Sequence, residues 1–142
     1  MINTIKKNLK RAIHAFIFSV ITIGTISFLS FETPYGLFLA GSFGSSMVLL
    51  FGYPESPFAQ PKNVFFGHLL TAIVGMFFLH FIPLPLFIII PLAVGFGVGL
   101  MILFNVTHPP AGGNPIIVII GGVSFEYLLS PVISGSIIII IF

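Results

Sequence analysis

The chain has 142 residues, of which 57% are hydrophobic and 6% charged, with a formal charge of +2 at pH 7 and no cysteine. A soluble domain carries about 25% charged residues, so this chain has too few polar groups to cover a globule in water. The composition excludes a soluble catalytic domain, a disulfide scaffold, a thiol nucleophile and a thiolate metal site. It points to an all-α polytopic membrane protein, a bundle of five to six helices or half-helices whose main solvent is lipid.

Lys6, Lys7, Lys10 and Arg11 hold four of the five cationic groups and precede the first apolar run. That placement marks residues 1–11 as a basic cytoplasmic segment by the positive-inside rule. No small-x-small cleavage site follows at Phe28–Glu32, so the first span is read as uncleaved. The expected location is a plasma membrane of bacterial inner-membrane type.

Residues 1–142 are read as one transmembrane domain, the basic segment 1–11 being followed by two halves, 12–82 and 83–142. Span one covers about Ala12–Phe31, enough for a hydrocarbon core that takes about 20 helical residues. His14 sits at its headgroup end. Thr33 is expected to cap, and Pro34 to open, a second span to Phe51. Gly36, Ala40, Gly41, Ser42, Gly44, Ser45 and Ser46 crowd that span. Small residues let helices approach closely, and their hydroxyls can bridge helices or line a polar path. Gly52–Asn63, with three prolines, reads as a stiff cytoplasmic loop carrying Gln60, Lys62 and Asn63.

Span three covers about Val64–Phe81. Gly67, Thr71 and Gly75 recur every four residues and share one packing face. His68 lies beside it, and an ionisable residue inside a span is a functional candidate. His80, at the far end, reads as interfacial. Span four covers about Leu86–Val106. Its Gly95, Gly97 and Gly99 lack the strand–turn–helix context of a nucleotide fingerprint, and Gly95 and Gly99 read as packing positions.

Thr107, His108, Pro109, Pro110, Ala111, Gly112, Gly113, Asn114 and Pro115 then interrupt the apolar pattern. Two successive prolines exclude a helix interior. Gly112 and Gly113 permit close backbone approach. Asn114 and Pro115 read as cap and first residue of a new helix. Ile116–Ile120 is too short to span and fits a half-helix buried in protein. Ser124 and Glu126 are expected at the start of a last span, about Glu126–Phe142, whose Ile137–Ile141 run faces lipid or a partner subunit.

Gly44–Gly52 and Gly113–Gly121 share a layout of glycine, small or turn-forming residues, apolar run and closing glycine. With three elements per half, that suggests an inverted three-plus-three repeat whose interrupted segments meet near the midplane. Gly41–Ser46 and Thr107–Pro115 are then expected to touch. The candidate pathway residues are Thr107, His108, Pro109, Pro110, Gly112, Gly113, Asn114, His68, Gly44, Ser45 and Ser46. No catalytic residue, cofactor, metal or nucleic-acid partner is expected: two histidines are too few ligands for a metal site. Association into a homo-oligomer is expected, since so few helices enclose little interior.

Thr107–Gly112, reading Thr-His-Pro-Pro-Ala-Gly, resembles the signature of the HPP family of integral membrane proteins. Ser56–Asn63 is similar to that family's proline-rich loop before its third span, and Gly67-His68-Leu69-Leu70 follows as in the family. The resemblance covers about residues 10–142. Gly113-Asn114-Pro115 departs from the small residues more usual after the signature. The resemblance implies a multi-helix membrane protein. Some plastid and cyanobacterial members are associated with nitrite transport, which implies a small anion as substrate.

Overall fold

A computed structural model describes residues 2–142, and every regular element among them is helical. Helix α1 (Ile2–Phe31) continues the first apolar run back through the basic segment without a break. Phe16, Val20 and Phe28 face outward on it, while Thr22 and Ile26 are buried. Arg11 reaches Glu55 at 3.3 Å and lies 5.2 Å from the centre of the Tyr53 ring. The basic end of α1 and the proline-rich loop therefore share one side of the bundle.

The second element departs from expectation. Residues 36–40 are not helical, and helix begins only at α2 (Phe43–Met47), which widens into a π-helical turn at Val48–Gly52. Glycine with φ +108° at Gly36 sets the chain into this irregular path. Ser30, in the last turn of α1, accepts from the backbone N–H groups of Phe38 and Leu39 at 2.9 and 3.1 Å. That contact supplies partners to backbone which a helix would have satisfied by itself. Thr33 does not cap a following helix; its hydroxyl donates back to the Leu29 carbonyl at 2.6 Å.

Ser56 caps a short 3-10 turn, Pro57–Ala59, by accepting from Phe58 N–H. Helix α3 (Pro61–Phe81) follows with proline in its first turn, as that position tolerates. Lys62 and Asn63 belong to this first turn rather than to the loop. Helix α3 is the centre of the molecule. Its buried residues run from Val64 to Met76, and it packs against α4 (Leu86–Leu103), α5 (Asn114–Gly121) and α6 (Ser134–Ile141). Three helices, Thr4–Phe31, Pro61–Phe81 and Leu86–Leu103, are long and apolar enough to cross a membrane. Phe43–Gly52 and Leu128–Ile141 are shorter apolar helices.

Helix α4 closes through a Schellman arrangement. Asn105 takes φ +54°, its N–H bonds to Ile102 O, and Val106 N–H bonds to Met101 O. The expected span to Val106 therefore stops at Leu103. Pro109–Gly113 winds as a 3-10 turn and leads into α5. Gly122, at φ +55°, ends α5 in the left-handed conformation common at helix C-termini. The short run is thus an eight-residue helix.

The last apolar stretch is also broken. Ser130 is extended (φ −139°, ψ 114°), as the residue before a proline prefers, and α6 proper begins at Ser134. The Ser130 hydroxyl donates to the Leu37 carbonyl and so ties this break to the irregular 36–40 segment. Ser124 provides no side-chain cap, and the expected unbroken span Glu126–Phe142 does not form. Within Ile137–Ile141, Ile139 is buried against Phe43 and Met47, while Ile137 and Ile141 face outward.

Candidate functional site: a buried polar cluster at two helix breaks

Six polar side chains lie buried together in an otherwise apolar interior: Ser42, Ser46, His68, Thr71, His108 and Asn114. They come from α2 and its approach, from α3, and from the interruption between α4 and α5. Phe43 closes one side, its ring edge-on to His68 at 5.1 Å. The two imidazoles lie 5.0 Å apart, centre to centre.

The small residues of α3 bring these elements so close. A side-chain carbon at Gly67 would sit 2.9 Å from His108 Cβ, and one at Gly75 would sit 2.9 Å from Pro115 Cα. The Gly67–Thr71–Gly75 face therefore packs against the 108–115 interruption. That packing face was expected; close approach was expected at Gly112 and Gly113 as well. Gly113 has open space where a side chain would go, and Gly112 has only Val98 at 4.0 Å. On α4 the packed glycine is Gly97, against Thr71; Gly95 and Gly99 have nothing within 4 Å.

The hydrogen bonds form one connected chain. His108 Nδ1 lies 2.7 Å from the Phe58 carbonyl, and His108 Nε2 lies 2.9 Å from Ser46 Oγ. Ser46 Oγ is also 3.0 Å from His68 Nε2. His68 Nδ1 lies 3.1 Å from Asn114 Nδ2, which also reaches the His68 carbonyl at 3.1 Å and Thr71 Oγ1 at 3.0 Å. Ser42 donates to Asn114 Oδ1 at 2.7 Å. Thr71 donates to the Gly67 carbonyl at 2.8 Å.

Of the candidate residues, His68, His108, Asn114 and Ser46 meet in this cluster. Gly41–Ser46 and Thr107–Pro115 therefore touch. Asn114 does so in a role other than the one expected. It has helical backbone angles, Gly113 stands at the N-cap position, and no side-chain cap forms there. Its amide is spent on the cluster. Ser45 is exposed and donates to Ser42 O, Gly44 is exposed, and Thr107 bonds only to Met101 O at 3.4 Å. Ser45, Pro109 and Pro110, with Val48 and Leu49, line an open groove of about 510 Å³ on the flank of the cluster. Gln60 and Asn63 brace the loop, donating to Ser56 O and Pro57 O, and Lys62 is exposed. His14 and His80 lie elsewhere, the first tilted against Phe18 and the second stacked on Phe125.

Ser42, Thr71 and the Phe58 carbonyl were not among the candidates. Ser42 lies one turn before Ser46, and Thr71 three residues after His68, so helical spacing carried a signal for both. Nothing in local sequence indicates that the Phe58 carbonyl reaches residue 108.

A polar, histidine-bearing cluster at two helix breaks, inside an apolar helical bundle with three membrane-length helices, defines an integral membrane protein with a polar interior site. The chain belongs to the HPP family: the model of the HPP transmembrane region matches residues 4–142. Two transmembrane proteins of Dictyostelium discoideum are each 36% identical to it, over 110 and 107 residues. Those matches cover 72% and 70% of this chain and 39% and 34% of the relatives. The chain thus spans well under half the length of the curated relatives it matches. No solved structure matches it significantly.

Proposed function

We propose that the protein is a membrane transporter or channel for a small anion, nitrite-like by family resemblance, with its site at the two interrupted helices. One observation carries the reading: His68, His108, Ser46 and Asn114 are buried together where two irregular backbone segments meet. Polar side chains and broken helices are costly within a bilayer, and they concentrate along substrate paths. The order of elements in each half, a long helix and then a short one ending at Gly52 or Gly121, suits an inverted repeat. The shared side of Arg11 and Glu55 suits a cytoplasmic N-terminus and proline-rich loop. The reading is of a non-catalytic protein that works as a homo-oligomer.

The test is flux of nitrite, nitrate, formate and chloride into proteoliposomes. His68→Ala and His108→Ala should each lower nitrite uptake at least tenfold while leaving membrane insertion intact. Uptake at the wild-type rate, at matched reconstitution, removes the histidines from the mechanism. A second reading, a structural or accessory membrane protein without transport, draws on the completeness of the hydrogen bonding. Every member of the cluster has a partner, as a lock between α2, α3 and α5 requires. Absence of flux for all four ions favours that reading.

A further inference from the structure

The direction of each hydrogen bond in the cluster follows from its ends. The Phe58 carbonyl can only accept, so His108 Nδ1 carries a proton. At the other end, the His68 carbonyl can only accept, which turns the Asn114 NH2 toward it, toward Thr71 Oγ1 and toward His68 Nδ1, three acceptors sharing two hydrogens; the amide nitrogen itself cannot accept from Nδ1. Ser42 donating to Asn114 Oδ1 agrees with that orientation. His68 Nδ1 therefore accepts, and the proton of a neutral ring sits on Nε2. His68 Nε2–H donates to Ser46 Oγ, and the Ser46 hydroxyl donates to His108 Nε2. This assignment of tautomers leaves both rings neutral and satisfies the shorter contacts; the longer approaches of Ser46 Oγ to the Ser42 carbonyl (3.3 Å) and of Ser42 Oγ to His68 Nδ1 (3.4 Å) are left without a hydrogen.

Ser46 thus presents one oxygen that accepts from one imidazole and donates to the other. A bare anionic oxygen in that place would suit His68 Nε2–H and be repelled by the lone pair of His108 Nε2. An X–OH group satisfies both. Among the described residues no charged group joins the cluster: the rings' partners are Ser42, Ser46, Asn114 and the Phe58 carbonyl, and Thr71 meets the Asn114 amide. A buried anion needs a countercharge, and a neutral acid does not. Ser46 sits on a five-residue helix followed at once by the wide turn Val48–Gly52, a geometry that recurs at functional sites. The groove lined by Ser45, Pro109 and Pro110 holds the chain neighbours of Ser46 and His108.

We infer that the His68–His108 pair is a cradle for a single hydroxyl, held at rest by Ser46, and that it takes the protonated, neutral form of a small oxyacid. The inference rests on the transport reading and names the species that crosses. Proton and conjugate base then move together, without net charge.

Proteoliposomes challenged with sodium nitrite test it, with internal pH and charge movement recorded together. The expected result is internal acidification faster than in protein-free vesicles, with no charge movement. At fixed total nitrite the rate should fall ~tenfold for each pH unit above the acid's own pKa. Nitrate, whose acid has no appreciable neutral form in water, should not enter. His108→Ala should lose the acidification. Charge movement with nitrite, or nitrate entry at the nitrite rate, overturns the cradle while leaving transport standing. No entry of either ion into wild-type vesicles overturns both readings.

Discussion

Asn114 shows at the residue scale how one side chain can hold three elements. Its amide joins α5 to the His68 ring, the His68 carbonyl and Thr71 on α3, and to Ser42 ahead of α2. Asn114→Leu keeps much of the volume but orphans these groups, and each buried polar atom left unpaired costs about 1–3 kcal/mol. The variant should melt several degrees below wild type when solubilised in detergent. An unchanged melting temperature would show that the amide bonds add nothing to the native state. Arg11 makes a contrast. Its pair with Glu55 is half exposed, and such pairs contribute about 0–1 kcal/mol. Its structural message is proximity, not strength.

The decisive fact at the element scale is that α3 carries small residues where the second interruption passes. Gly67 and Gly75 admit His108 and Pro115, and without that approach the two histidines would not share a hydroxyl. Gly67→Val and Gly75→Val should each destabilise by about 1–3 kcal/mol through overpacking. Gly95→Ala on α4, with nothing within 4 Å, should be neutral. Thermal unfolding of the three variants side by side checks the contrast. Equal behaviour would mean that the close packing of α3 on residues 108–115 is not maintained. Gly135 is tighter still: a side-chain carbon there would collide with the Phe38 carbonyl and the Phe43 ring, which sets how closely α6 can lie on α2.

At the scale of the whole molecule, the outer surface is dominated by exposed apolar side chains, including Phe16, Phe28, Phe87, Phe96 and Leu103. That is what a lipid solvent permits. The Arg11–Glu55 contact places the basic part of α1 and the proline-rich loop before α3 on one face. The chain has no native cysteine, so Lys7→Cys and Lys62→Cys can be labelled singly in intact cells. Both should resist an impermeant thiol reagent until the membrane is opened. Opposite behaviour at the two sites would contradict the topology. Gly95 and Gly99 leave a small-residue stripe on the outer side of α4, unused within the protomer. If α4 is where copies associate, Gly95→Leu should shift the species seen by cross-linking in membranes, with folding unaffected.

Composition and spacing were enough for the membrane class, the spans α1, α3 and most of α4, the small-residue face of α3, and the interruption at 107–115. These follow from local rules: how much apolar length a bilayer takes, what proline excludes, and which residues share a helix face. Only the tertiary structure decided that the second element is irregular before it is helical, that Ser130 breaks the last one, and that Asn114 turns inward instead of capping. Each of these depends on partners far away in sequence. Ser30 satisfies the backbone at Phe38 and Leu39, Leu37 receives Ser130, and His68 claims the Asn114 amide. A backbone or side-chain polar group inside a bilayer goes where a partner exists, and where the partner lies is a property of the folded chain.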